Sequence, residues 1–257
     1  MSASTLLRRL LPAAMAASVL LAAPAVRAEE ALPHEHWSFS GIFGGLDLAA
    51  AQRGFQVYNE VCSSCHSMNL LHYRDLAGIG LTAQQIKDIA ASKTVPGPLD
   101  DNGDETTRPG TPADVFKAPY KNSKAAGAAF GGAAPPDQSV LLNAREGGAD
   151  YIYGILTGYV DPPAGFKVPD GLYYNEYMPG HLIHMPQPLH DDQVTYADGT
   201  KATVAQMAHD VTTFLYWTSN PEAVTRKRMG VRVVLFLVLM AGLTYTVKRQ
   251  IWSDVEH

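Results

Sequence analysis

Cysteine is nearly absent from this chain: Cys62 and Cys65 are the only two in 257 residues. Without further thiols there is no disulfide framework, and a bridge closing two intervening residues is awkward in geometry and adds little stability. No second C-x-x-C and no H-x-x-x-H pair accompanies them, so a structural zinc site lacks half its ligands. Basic residues are also scarce where most of the chain lies. Residues 29–225 hold 23 Asp and Glu against 11 Lys and Arg, a net charge of −12 that the whole-chain value of −5 conceals. Repulsion excludes nucleic acid as a partner, whereas a basic protein would be attracted and steered. Internal repeats are absent, and uninterrupted apolar runs occur only near the two ends.

The first run belongs to residues 1–28. Arg8 and Arg9 precede an apolar stretch from Leu10 to Ala23, followed by small residues at Ala23, Ala25 and Ala28. That is the layout of a cleaved secretory signal, with the cut expected after Ala28. The second run, Met229 to Val247, would rise about 28 Å as a helix, close to the thickness of a bilayer core. Arg226, Lys227 and Arg228 bracket it on one side, Lys248 and Arg249 on the other. Arg232 lies near enough to the edge to reach the head groups. The expected order is a signal at 1–28, an exported domain at 29–225, a transmembrane anchor at 226–249 and a short tail at 250–257. This puts four cations on the outer side, against the positive-inside preference, which long exported domains largely escape. That outer cluster is expected to meet lipid phosphates or acidic residues of a partner.

Three helices are legible inside the domain. Leu48, Ala51, Phe55, Tyr58 and Cys62 recur at helical spacing, one apolar stripe running into the first cysteine. Thr82 and Gln85 stand in capping-box spacing, with Leu81 and Ile86 placed as a hydrophobic staple, opening a helix to Ser92. Thr203 and Gln206 open a third, whose Val204, Met207, Ala208, Val211, Phe214 and Leu215 share a face and which stops near Asn220-Pro221. A fresh helix continues into the anchor. Residues 93–200 are rich in proline and glycine with little periodicity, and read as loops and turns. So long an irregular stretch is expected to wrap something rigid.

The cysteines stand in "CSSCH", with His66 directly behind them. A thioredoxin-like dithiol normally follows a strand, and here a helical stripe precedes it. C-x-x-C-H is the c-type haem attachment signature: each thiol adds across one vinyl group, and the adjacent imidazole reaches the iron. The expectation is one haem c, held through Cys62 and Cys65 with His66 as proximal ligand. The second axial ligand lies elsewhere. Methionine suits an electron carrier, because its soft thioether raises the potential. Met68 is too near His66 to cross the ring, and Met207 sits on a core face. Met178 and Met185 remain, with His181 and His184 as bis-histidine alternatives.

The segments "GFQVYNEVCSSCHSMNLLHYRDL", "RPG", "PPD", "ILTGYVDPPAG", "LYYNEYMPGHLIHMPQPL" and "RKRMG", followed by one apolar span, resemble the cytochrome c1 family from about Trp37 to Trp252. The resemblance implies a mainly α, cytochrome c-like haem domain with long irregular loop insertions and one C-terminal transmembrane helix. It implies Met185 as the second iron ligand, Met178 as a packing residue, and Arg108 as the partner of a haem propionate. It further implies an electron-transfer subunit, not an enzyme on its own, working beside cytochrome b and a Rieske iron–sulfur protein in a dimeric complex. A basic cytochrome c is the expected acceptor, and the location is a bacterial inner membrane with the haem domain in the periplasm. Asp100, Asp101, Asp104 and Glu105 are either part of the surface attracting that acceptor or a solvated loop. Two positions depart from the family's pattern: Phe130 replaces an asparagine, and Gln138 a leucine. Rival readings are a free-standing tethered c-type cytochrome, or a peroxidase or gas sensor whose iron would need an opening coordination position.

Overall fold

A computed structural model describes residues 31–254; the segment 1–28, read above as an export signal, lies outside the described residues. Helix α1, Leu48–Glu60, starts because Asp47 caps it: its carboxylate accepts from the Ala49 and Ala50 amides at 3.0 and 3.1 Å. Ala51, Phe55 and Tyr58 are buried as the stripe predicts, but Leu48 at its start is exposed. Helix α2, Ala83–Ala91, has the complete capping box, with Thr82 and Gln85 each accepting from the other's amide. Two more helices follow, α3 (Ser123–Ala129) and α4 (Gly148–Thr157), before α5 (Val204–Ser219). Thr203 caps α5, but the box there is half made. Gln206 donates its side-chain amide to Asp210 instead of reaching back to the cap.

The packing of α1 on α5 organises the domain. Gly54 allows the close approach, since a Cβ there would run into the Asp210 backbone carbonyl and the Phe214 side chain. Beside it Arg53 forks onto Asp210, Nε and Nη2 donating at 2.9 and 3.0 Å, while Nη1 reaches Asp198 at 2.9 Å. Asp210 is fully buried, so this pair fixes the helix register with a charge that has no access to water. Phe214, Met207, Val211 and Leu215 of α5 then close the core with Met68, Leu76 and Ile79 from the segment after the cysteines. Met207 is fully buried, in agreement with its expected place on a core face, and Met68 is fully buried as well. Gly54→Ala should cost about 1–3 kcal/mol through overpacking, read as a lower midpoint in chemical denaturation.

The region 93–200 contributes more than loops. Strands β1 (Thr94–Leu99) and β2 (Glu105–Pro109) form an antiparallel hairpin with an irregular register after Pro96. A second pair, β3 (Tyr173–Tyr174) and β4 (Leu182–Ile183), is minimal. Phe116, Leu141, Leu142, Ile152, Leu156 and Leu189 from this stretch enter the core directly. The reading of 93–200 as loops and turns is corrected to that extent: it also holds two short hairpins, two helices and part of the core. After a short break at Asn220–Glu222, α6 runs from Ala223 to Ile251. Its 29 residues span about 43 Å at 1.5 Å per residue. It is the one helix among the described residues long and apolar enough to cross a membrane, and none of its most apolar stretch is buried.

Candidate functional site

Helix α1 ends at Glu60 and passes into a 3₁₀ turn over Cys62–Ser64. The Cys62 carbonyl accepts from both the Cys65 and His66 amides, at 3.1 and 2.9 Å. In such a turn the side chains at i and i+3 eclipse, so Cys62 and Cys65 share a face by backbone geometry alone. The two serines between them serve the helix end. Ser63 Oγ donates to the Asn59 carbonyl at 2.8 Å and Ser64 Oγ to the Val61 carbonyl at 2.7 Å, satisfying acceptors that the last turn leaves open. The thiols are not bonded to each other. Burial pushes the Cys62 thiol up to about 12, which makes it unsuited to act as a thiolate redox nucleophile at neutral pH.

His66 is buried, and its Nδ1 lies 2.8 Å from the Pro136 carbonyl oxygen. A carbonyl only accepts, so Nδ1 carries the proton and donates, and Nε2 keeps its lone pair. Burial lowers the pKa of the ring, which holds it neutral. A buried, neutral imidazole with a fixed tautomer and an unprotonated Nε2 has the lone pair that metal ligation requires.

Pro136 is held by its neighbour. Asp137 accepts from Ser67 Oγ and the Asn69 amide at 2.8 Å each, and from the Ser139 amide at 2.9 Å. Ser139 Oγ in turn accepts from the Leu70 amide at 3.0 Å, and the Gln138 amide donates to the Ser67 carbonyl. The "PPDQS" loop is therefore clamped onto the residues after His66. Burial raises the Asp137 pKa, but bonds from Ser139, Asn69 and Ser67 outweigh it and leave the carboxyl below its usual range. Such a group stabilises the fold above the ordinary carboxylate pKa and loses that contribution as pH falls through its depressed value. Asp137→Asn should thus destabilise at pH 7, with the difference from the parent shrinking in acid, as denaturation at both pH values will measure.

Gln138, at the position where the family pattern has leucine, is buried, and its side-chain carbonyl oxygen has no hydrogen-bond partner among the described residues. An orphaned buried acceptor costs on the order of 1–3 kcal/mol. Gln138→Leu should raise thermal stability by removing it, measurable as an increased Tm.

Of the candidate second ligands, Met178 accepts through its sulfur from the Tyr151 hydroxyl at 3.6 Å. Met185 is half-buried, packed against the main core, and its carbonyl is held by the Tyr159 hydroxyl at 2.9 Å. Pro186 and Pro188 follow it, restricting the chain that presents the thioether. The His181 ring stacks on Tyr174 at 5.5 Å and its Nδ1 lies 3.1 Å from the Glu176 carbonyl. His184 is exposed. Arg108, at the end of β2, forks onto Asp114, with Nη1 and Nη2 at 2.7 and 2.6 Å from its two oxygens. Hydrogen bonds from Arg108 and Thr111 hold the Asp114 carboxyl well below its usual range. The Arg108 Nε makes no hydrogen bond among the described residues. Sequence reading missed Asp114, Pro136, Asp137 and Tyr159; the "PPD" spacing was the available signal for two of them.

The thiol pair on one face and the neutral histidine are donors that fit a c-type haem, with Met178 and Met185 the thioethers available for a second ligand. A family model described as the cytochrome C1 family matches residues 37–255. A cytochrome c1 from Rhodospirillum rubrum is 46% identical, covering 97% of this chain and 98% of its own length. A mitochondrial cytochrome c1 haem protein from Schizosaccharomyces pombe is 46% identical over 86% of this chain and 72% of its own length. A Candida albicans protein named cytochrome b-c1 complex catalytic subunit is 45% identical over 88% and 78%. With the attachment turn and the family pattern coinciding over nearly its whole length, the chain belongs to the cytochrome c1 family.

Proposed function

We propose that this chain is the haem subunit of a quinol–cytochrome c reductase, relaying single electrons from a Rieske iron–sulfur protein to a cytochrome c. The observation that carries the reading is the Cys62–His66 turn with His66 Nδ1 fixed by Pro136. When bound, a haem with both axial positions filled supplies reversible one-electron chemistry at its iron. The chain's own residues do the rest. Cys62 and Cys65 would hold one haem c as thioethers, His66 Nε2 and the Met185 sulfur would ligate its iron, and Tyr159 steadies the Met185 backbone. Met178, its sulfur already engaged by Tyr151, packs nearby. The free Nε of Arg108 is left to a haem propionate, with Asp114 setting the plane of the guanidinium.

Residues 1–28 export the chain, 29–225 form a periplasmic domain, 226–249 anchor it in a bacterial inner membrane, and 250–257 stay in the cytoplasm. The partners are cytochrome b and the Rieske subunit, within a dimeric complex; the Candida relative is named a subunit of a cytochrome b-c1 complex. The acceptor is a basic cytochrome c drawn by the −12 domain. At the hairpin tip Asp100 shapes the turn and Glu105 pairs with Lys121, so Asp101 and Asp104 are the carboxylates most available to it. Purification in mild detergent tests the assembly: cytochrome b and a Rieske protein should accompany the chain in fixed ratio. Recovery of the haem protein alone, with quinol–cytochrome c reductase activity in a separate fraction, would assign it as a free-standing tethered cytochrome.

A further inference from the structure

A cavity of about 240 Å³ lies against the last turns of α1, where Ser63 of the attachment turn lines it but Cys62, His66, Met185 and Arg108 do not. Its apolar wall is Phe55, Tyr58 and Phe116, all buried. The Tyr58 hydroxyl is committed to the His66 carbonyl at 3.4 Å. Lys93, Lys117, Asn59 and Tyr73 supply the polar lining, and no carboxylate lines it. Neither lysine has an ion pair among the described residues, although the domain around them carries a net charge of −12.

The remaining polar groups also lack acceptors. The Tyr73 hydroxyl accepts from the Lys117 amide at 3.1 Å, and its own hydrogen has no acceptor among the described residues. Ser63 bonds the Asn59 backbone carbonyl at 2.8 Å, so the Asn59 side-chain amide is uncommitted among the described residues. Lys93 is half-buried, and burial, followed by the Lys117 charge, lowers its pKa. Two like charges held against an aromatic wall are unfavourable unless an anion joins them.

We propose that this cavity binds a phosphoryl dianion, as inorganic phosphate or a small phosphate monoester, between Lys93 and Lys117. Two ammonium groups match a dianion in charge, and lysine serves a phosphoryl group as a point charge with three donors. Asn59 and Tyr73 add neutral donors to the remaining oxygens. The walls of Phe55, Tyr58 and Phe116 lower the local dielectric and focus the field of the two cations. Asn59 and Lys93 are recessed, which favours a small anion over an acidic side chain on a flat partner surface. The site is separate from the haem contacts, so the proposal stands whether or not the electron-relay reading does.

The test is calorimetric titration of the full-length holoprotein in detergent, with inorganic phosphate and with glycerol 3-phosphate, at ionic strength fixed by chloride. Saturable one-to-one binding is expected. Equal affinities would assign the site to the phosphoryl group alone, and tighter binding of the ester would assign it to a monoester. Lys93→Gln and Lys117→Gln should each weaken binding roughly tenfold, as expected for a lost charge-assisted bond, whereas Lys93→Arg should retain most of it. Thermal unfolding gives an independent readout. Phosphate should raise the parent Tm by linkage. Lys93→Gln should match or exceed the parent Tm in phosphate-free buffer, because it relieves repulsion, and should lose most of the rise. A Lys93→Gln protein less stable than the parent without phosphate would make the lysine a structural residue and overturn the proposal. No saturable binding of either ligand, or binding that survives both glutamine changes, would overturn it equally. Binding of an acidic peptide in place of both ligands would make the lysines a protein-docking patch and also reject it.

Discussion

Met185→Leu should keep its haem and lose its potential. The side chains are near in volume, and the Tyr159 bond goes to the Met185 backbone carbonyl, which the substitution leaves in place. The change removes one soft donor and little else. Axial ligation controls haem potentials over roughly 0.8 V, and we expect a fall of about 0.2 V or more, accompanied by loss of electron delivery to cytochrome c. Haem should stay attached in denaturing gels, because Cys62 and Cys65 are untouched. Met178→Leu is the matched comparison: its sulfur accepts from Tyr151, so its loss should cost stability and leave the potential near the parent value. A redox titration giving the reverse pattern would exchange the roles of the two methionines.

Arg53→Met should produce the largest loss of stability in the domain. It leaves the Asp210 carboxylate fully buried without its cation, with the Gln206 amide and the Tyr196 hydroxyl as the neutral groups beside it. Uncompensated buried charges cost about 3–5 kcal/mol, or on the order of 10 °C in Tm for a domain of this size. The effect should reach the proposed haem site, since α1 delivers the Cys62–His66 turn and the Arg53–Asp210 pair sets how α1 lies on α5. Adding Asp210→Asn should recover part of the loss by removing the charge. If the double variant were as unstable as the sum of the two single ones, the pair would not be acting as a unit.

What could be read from the sequence divides along a physical line. Helices α1, α2 and α5 were legible because each has a polar cap and a repeating apolar face, both local properties. Helix α4 was hidden: Gly147, in a left-handed conformation, provides its N-terminus without a side-chain cap, and glycines at 148 and 154 blur the pattern. Strand β1 contains Pro96, Gly97 and Pro98, residues that argue against a strand and are tolerated here because the hairpin is two-stranded and irregular. The attachment turn was legible as a motif, since five consecutive residues carry it. The device that prepares His66 was not, because Pro136 lies 70 residues away and acts through a backbone carbonyl, which no side-chain pattern announces. The same limit applied to Arg108, whose fork onto Asp114 follows from how the hairpin turns back on the next loop. Gln206 stood at the right spacing for a capping box and bonded Asp210 instead, the buried charge offering the stronger acceptor.

The proposed relay requires a haem iron ligated by both His66 and Met185, so that it passes electrons and offers no open position to substrate. Magnetic circular dichroism of the holoprotein in the oxidised and reduced states, followed by exposure of the reduced form to carbon monoxide, tests it directly. Low-spin histidine–methionine coordination in both states, unchanged by carbon monoxide, is the predicted result. A high-spin iron, or one that takes up carbon monoxide readily, would contradict it.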